Sequence, residues 1–487
     1  MILAVPKSTV DLLAQFQIIE VKKQPMTTCN RPLSGQHYWG LFVLFLAVFL
    51  VAGDFTAFPP ALPRIAENFS IDITAVHWVV NAYSLAYGVL IVTSGRLADI
   101  YGRKNIFFTG IAIFALSSLA GGLALETWVL LTSRALMGLG GALIWSAILG
   151  MAYNLLPGQR AGLAGGFTLA ALGFAAACGP VIGGFFSEYL SWRWILFMNI
   201  PLALLTACLC WQKYPAEMSV GEHNKVDYVG VITLSVSLFF FLLGMDIFAQ
   251  YGLEHPLFLL LLVFALLTAF LFVAAERWAK NNALIPVDLV RNQSFMAAGL
   301  SVLLVAVAFF ETLVYIPLLL IKVYKFTALQ AGVALLPMMI ASGTFAFFSG
   351  LLYERVGKKV LICIGALGMS LGLFCLASLS GKVNYIYLVP GLLLIGICLG
   401  VYSPAIVTAA MTVVDSSESS LAGAIIYMFR FLGGAFGLGF NAIILSLAPD
   451  IATGIRSAFM VDGFITLAGF FVSLFYFKGS TTRIFKR

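Results

Sequence analysis

Charge is what this sequence has least of. Only 10% of its 487 residues are Asp, Glu, Lys or Arg, against 61% that are hydrophobic. A chain with so little polar side-chain surface cannot cover a water-soluble core, so a polytopic membrane protein is nearly forced. Cysteine is sparse as well. Of the seven, Cys178, Cys208, Cys210, Cys363, Cys375 and Cys398 lie inside apolar segments, and only Cys29 does not. With no paired spacing in exposed loops, they offer neither a disulfide framework nor a zinc site. No glycine-rich phosphate loop is present, which disfavours ATP-driven chemistry, and no catalytic constellation points to an enzyme. The net charge of +7 does not point to nucleic acid, because the cations fall in short loops between apolar runs.

Those runs are what the sequence does have. Crossing a hydrocarbon core of roughly 30 Å takes about 20 residues of helix. Apolar runs of that order lie near 39–60, 76–95, 105–124, 128–150, 163–184, 194–211, 227–248 and 256–275, and again near 295–320, 329–351, 359–379, 385–406, 420–445 and 459–477. All fourteen read as helices, since alternating strands of about ten residues are missing. Gly95–Lys104, GRLADIYGRK, reads as a short charged loop between two spans. Gly350–Lys359, GLLYERVGKK, repeats its skeleton: Gly, an acid four residues on (Asp99, Glu354), Gly at seven (Gly102, Gly357), then two cations (Arg103–Lys104, Lys358–Lys359). A repeat so widely spaced implies two related halves.

An even number of spans puts both termini on one side of the membrane. If Gly95–Lys104 is cytoplasmic, the inner segments hold twenty of the 28 Lys and Arg residues and the outer ones six, with Arg134 and Arg430 inside spans. The positive-inside rule therefore places both termini in the cytoplasm. Thr9–Val21 is mildly amphipathic with no signal-peptide cleavage pattern after it. It reads as a surface helix, or as upstream sequence with Met26 the true start.

A charge at mid-bilayer costs about 2.5–3.5 kcal/mol on insertion scales, so each needs a reason. Asp54, alone in GDFTAFPPALP, is suited to taking and releasing a proton, or is a structural carboxylate bonded to a neighbouring helix. Pro59, Pro60 and Pro63 should bend or end that helix nearby. Arg134, in LTSRALMGLGGALIWSA, could hold an anion, bias a nearby carboxylate, or pin backbone carbonyls. Glu311 reads equally as a second proton carrier, a counter-ion for a cationic substrate, or a paired structural group. Arg430, before FLGGAFGLG, resembles Arg134 in the other half and reads as a packing residue. Gly179, Pro180, Gly183 and Gly184 give the fifth span a close-crossing, loosened turn that could act as a hinge. Trp39, Trp78, Trp128, Trp192, Trp194 and Trp278 fall near span ends as interfacial anchors. Tyr83, Trp145, Phe310, Tyr315 and Tyr427 lie deeper and are candidates to line a greasy cavity.

Taken together, these segments resemble the major facilitator superfamily, specifically its fourteen-helix drug:proton antiporter family. Gly95-x3-Asp99-x2-Gly102-Arg103-Lys104 is similar to its loop between helices two and three. Arg134 with Gly138 and Gly140 resembles its fourth-helix motif, with Met137 in place of the usual glutamine. Gly179-Pro180-x2-Gly183-Gly184 resembles the antiporter motif of helix five. Asp54-x-Thr56 with Ala61-Leu62-Pro63 resembles its first-helix motif, apart from Pro59–Pro60. Trp192-Arg193-Trp194 and Asn199-x-Pro201 resemble the helix five–six junction. The resemblance covers about 38–478.

It implies an all-α fold of two six-helix bundles, 38–215 and 286–478, around a central cavity, with two additional helices in 216–285, a segment 1–37 and a tail 479–487. It implies export of hydrophobic, often cationic compounds in exchange for protons. The proton motive force is then the energy source, with no cofactor and no metal. Asp54, Arg134 and Glu311 would couple protons. Gly95, Asp99, Gly102, Arg103 and Lys104, with Glu354, Gly357 and Lys358, would form the cytoplasmic gate. The expected surroundings are the lipid bilayer of a bacterial inner membrane, small-molecule substrate and protons, and a periplasmic adaptor in a Gram-negative host. A dedicated exporter of one metabolite such as a siderophore, a proton-linked nutrient symporter, and a non-transporting receptor or scaffold are the alternatives.

Overall fold

The computed structural model describes residues 35–71, 76, 78–156, 160–214, 227–252, 254–279, 283–378, 384–414 and 416–477. The segment Thr9–Val21, Met26, most of 1–37, the 216–226 connection and the tail 479–487 lie outside the described residues. Residues 36–487 form one compact unit.

Every described element is helical, and fourteen helices are long and apolar enough to cross a membrane. We number them α1 Gly35–Phe69, α2 Trp78–Tyr101, α3 Arg103–Gly122, α4 Thr127–Leu155, α5 Ala161–Tyr189, α6 Arg193–Lys213 and α7 Tyr228–Tyr251. The series continues with α8 Pro256–Ala279, α9 Gln293–Lys322, α10 Leu336–Val356, α11 Lys358–Ser378, α12 Val389–Met411, α13 Ser419–Leu447 and α14 Ile451–Tyr476. Helices are what hydrocarbon demands of such segments, because each satisfies its own backbone donors and acceptors where no water can. Burial follows a membrane logic. α8 has the highest mean hydropathy, 3.0, yet only 17% of its apolar window is buried in protein, whereas α4 is 83% buried. The exposed Leu259, Leu260, Val263, Phe264, Leu267 and Phe270 of α8 therefore face lipid.

The packing repeats with a step of eight helices. α3 packs on α4, α2 on α4 and α3 on α6; α11 packs on α12, α10 on α12 and α11 on α14. Two seams join the sets, α2 against α13 and α5 against α10, and these exchange under the same step. α7 and α8 pair with each other, and α7 leans on both α2 and α13.

Three sequence expectations are corrected here. Gly95–Lys104 is not a ten-residue loop: α2 runs helically to Tyr101, and the break is Gly102 alone, at φ 91°. Its counterpart Gly357, at φ 90°, does the same between α10 and α11. This left-handed region admits glycine freely and costs other residues roughly 1–2 kcal/mol. Secondly, α1 does not end at its prolines: it continues through Pro59, Pro60 and Pro63 to Phe69, its flanking residues Phe58, Ala61 and Leu62 buried. Membrane helices tolerate the lost backbone donors where neighbouring helices cover them. Thirdly, Trp192 is packed inside the protein instead of facing outward as an anchor; its Nε1 donates to Asn68 at 3.3 Å.

Candidate functional site

Asp54 is not alone. It points from α1 into a pocket closed by α2, α4 and α6. Arg134 of α4 donates to its Oδ2 at 2.6 Å, and both side chains are fully buried. Asn199 of α6 donates to Oδ1 at 2.7 Å and to the Ser118 hydroxyl at 3.1 Å. Arg134 Nε donates to the Val79 carbonyl at 3.0 Å. Its guanidinium lies 3.9 Å from the Phe58 ring centroid and 4.6 Å from that of Tyr83. Arg134 Nη2 has no hydrogen-bond partner. A planar guanidinium suits this site, holding a carboxylate while stacking between rings.

Glycines let the helices come this close. A Cβ on Gly179 or Gly183 of α5 would run into Thr56 and the Ala57 carbonyl of α1, on the turn that carries Asp54. A Cβ on Gly138 would strike the Tyr83 carbonyl. Gly184 meets Leu329, and Pro180 sits half-buried between these contacts.

The gate residues divide. Asp99 is buried at the α2–α13 seam, where it caps the N-terminus of α13, accepting from the backbone amides of Ser420 at 3.2 Å and Leu421 at 2.8 Å. A carboxylate at a helix N-terminus is stabilised by the unpaired amides and the helix dipole. Arg103 pairs with Asp99 at 3.1 Å and donates to the Ser420 hydroxyl at 3.0 Å and the Gly150 carbonyl at 3.4 Å. Lys104 donates to the Tyr214 carbonyl at 3.4 Å. Gly95 makes the seam possible: its Cβ would lie 2.7 Å from Ala424 Cβ and 2.8 Å from the Ser420 carbonyl oxygen. The second copy repeats the backbone but not this contact. Glu354 is exposed and forms no ion pair among the described residues, and Lys358 and Gly357 are half-buried. The seam on that side is made instead by glycines, Gly350 of α10 against Gly162 and Gly166 of α5.

Between the two sets lies a cavity of about 140 Å³, walled by α1, α2, α4 and α5 and by their step-of-eight counterparts α9, α10, α12 and α13. Tyr83, Trp145, Phe310 and Tyr427 line it, and Tyr315 does not. Tyr315 is buried beside Glu311 and Asp462. Arg430, expected to be a packing residue, is a wall of the cavity, because α13 turns that face toward α9 and α12. Glu311 loses one of its three expected readings, that of counter-ion. It is fully buried behind Phe310, against Gly437 and Asp462, so it cannot meet a substrate in the cavity as a counter-ion.

Asp462 and Asn441 are site residues that the sequence reading missed, and Asn199, read there only as part of the helix five–six junction motif, is a third. Asn441 donates to Asp462 Oδ2 at 2.7 Å and also reaches Glu311, while Asp462 Oδ1 and Asn441 Oδ1 have no hydrogen-bond partner. Glu311 and Asp462 thus form a buried carboxylate pair in the second set, without the cation that Asp54 has in the first. Asp246 of α7 was missed too; it accepts from Asn81 of α2 at 2.8 Å. Polar letters inside apolar runs were the available signal for all four.

Fourteen spanning helices, a packing repeat of eight, and a central cavity shared by both sets define an integral membrane protein of the two-fold transporter class. The Major Facilitator Superfamily profile matches residues 44–438 and 315–484, and the chain belongs to that superfamily; it is a transporter, not an enzyme. It is 32% identical over 445 residues to a puromycin resistance protein, pur8, of Streptomyces alboniger, covering 89% of this chain and 85% of that one. Identity to the multidrug transporter protein MdtP of Bacillus subtilis is 26%, over 81% of this chain and 73% of that one. Among solved structures, that of the human organic anion transporter MFSD10 has the same fold, with a TM-score of 0.68 at 15% identity, over 90% of this chain and 99% of that one.

Proposed function

We propose that the protein exports hydrophobic small molecules in exchange for protons by alternating access. Residues 38–215 and 286–478 are the two bundles that rock about the cavity, and 216–285 rides between them. The observation that carries this reading is the buried Asp54–Arg134–Asn199 cluster, one side chain away from the cavity. Tyr83 belongs to both: its ring covers Arg134 and its other face lines the cavity. A ligand that shifts Tyr83 therefore disturbs the ion pair, and a proton arriving on Asp54 releases Arg134. Glu311 and Asp462 form a second place where protons can be held.

The Asp99–Arg103 seam to α13 belongs to the state closed on that face, and breaking it opens the cavity there. The excess of cations on the same face supports its being cytoplasmic, with both termini there and the chain in a bacterial inner membrane. Inward passage of one proton supplies about 2.3 kcal/mol per 100 mV. The resistance and multidrug relatives support outward cargo movement. pur8 is named for one compound and MdtP for many, so a single-compound exporter stands as a second reading, tested by comparing metabolites secreted with and without the gene.

The coupling test uses proteoliposomes with an imposed pH gradient and a panel of apolar compounds that includes puromycin. The wild type moves cargo against its gradient and Asp54→Asn does not, although it inserts normally. Gradient-driven export by Asp54→Asn at the wild-type rate sinks the coupling role.

A further inference from the structure

The charge on the cavity wall has one sign. Arg430 is the one charged residue among the described residues that line it, and no carboxylate does. The guanidinium of Arg430 rests 5.1 Å from the Phe309 ring centroid and 5.8 Å from that of Tyr427, and it forms no ion pair among the described residues. Beside it, Trp145 and Tyr427 meet edge to face at 5.1 Å. Trp145 is 2% exposed and Tyr427 5%; Trp145 Nε1 has no hydrogen-bond partner, and the Tyr427 hydroxyl accepts from Arg430, which leaves its own proton free to donate.

Indole N–H and guanidinium can only donate. A buried donor without an acceptor is unfavourable unless something else supplies the acceptor. The nearest carboxylates do not: Asp54 is engaged by Arg134 and Asn199, and Glu311 lies behind the wall. Three donors from α4 and α13 thus stand together in a cavity whose other polar walls are neutral hydroxyls, Thr56, Ser84, Ser342, Ser403, Tyr83 and Tyr87.

We propose that this cluster is the head-group subsite for an amphipathic organic anion, a carboxylate on an apolar body. The carboxylate takes two N–H donors from Arg430 and single donors from Trp145 and Tyr427, as bidentate guanidinium recognition favours. The cavity of about 140 Å³ matches the apolar part to a benzene-sized body, since engineered cavities of about 150 Å³ hold benzene. This reverses the cationic preference that the family resemblance suggested. It rests on the transport reading only for the ligand being cargo.

The test measures binding and transport separately, using phenylacetate, its neutral amide and a 2-phenylethyl-trimethylammonium salt on the purified, lipid-reconstituted chain. Wild-type protein is expected to bind the carboxylate at least tenfold tighter than the ammonium probe. Arg430→Gln should abolish that preference with the amide affinity changed less than threefold, and Arg430→Lys should retain part of it. Trp145→Phe should weaken the carboxylate several-fold and leave the ammonium probe unchanged. A wild-type carboxylate affinity no better than that of the ammonium probe, or undetectable, overturns the proposal whether or not the variants fold. If the anion preference is present but no probe moves under a pH gradient, the subsite stands and the transport reading falls.

Discussion

Asp99→Asn is the substitution that most directly perturbs the closed seam. In the closed state Asp99 accepts two backbone amides at the start of α13 across the seam, at 3.2 and 2.8 Å, and pairs with Arg103 within its own set. Hydrogen bonds to a charged group contribute about 1.5–3 kcal/mol, and charge at a helix N-terminus about 0.3–1 kcal/mol. Asparagine keeps one accepting oxygen, so it loses about one such bond together with the charge–dipole attraction. That tilts the closed-to-open equilibrium by about 2–4 kcal/mol, or about 30- to 1,000-fold. The leftover Arg103 charge pushes the same way. Spin labels at Tyr101→Cys and Ser417→Cys, in a chain stripped of its native cysteines, report the seam by pulsed electron resonance; Tyr101 is 51% exposed and Ser417 is exposed. Wild type should give one short distance and Asp99→Asn a dominant longer one. Glu354→Gln should leave the distribution unchanged, because Glu354 makes no such contact. An Asp99→Asn distribution identical to wild type, in protein that elutes as a single folded species, refutes the role of the seam.

Further substitutions probe other parts of the structure. Gly183→Ala drives a Cβ into the Ala57 carbonyl and should cost about 1–3 kcal/mol, lowering the detergent melting temperature, whereas Gly332→Ala, 3.5 Å from Pro180, should be near neutral. Asn199→Leu leaves Asp54 Oδ1 unpartnered at about 1–3 kcal/mol and should weaken coupling more than it weakens substrate binding. Asp450 accepts from the Thr453 amide at 2.9 Å, and that bond holds its carboxyl below the ordinary value of 3.8. The folded pKa being depressed, this cap is intact above the ordinary carboxylate range and is lost as pH falls through the folded value. Hydrogen exchange at Thr453 should therefore quicken only in acid, and Asp450→Ala should remove that pH dependence.

The fold was legible because hydrocarbon leaves few choices: a run of apolar residues long enough to cross must be helical, and fourteen such runs are fourteen helices. The deep charges Asp54 and Arg134 were legible for the same reason, as letters that a membrane does not accept without cause. Asp462 was missed through an end error. With the last span begun near 459 it sat at the interface, but α14 starts at Ile451, which carries Asp462 inside. Asp246 was lost similarly near the end of α7. Rotation about the helix axis was the other blind spot. Glu311 and Phe310 are adjacent in sequence, yet a residue step of about 100° puts one behind the wall and the other on it. Arg430 looked like Arg134 by its glycine context. Only the positions of α9 and α12 reveal that one cation is paired and the other faces the cavity.

Proton movement coupled to cargo tests the central claim most directly. With a pH-sensitive dye trapped in wild-type proteoliposomes and no imposed gradient, cargo loaded on one side should drive protons the opposite way. Asp54→Asn should pass cargo down its gradient with no pH change. Equal proton movement in the two proteins would contradict Asp54 as the coupling group.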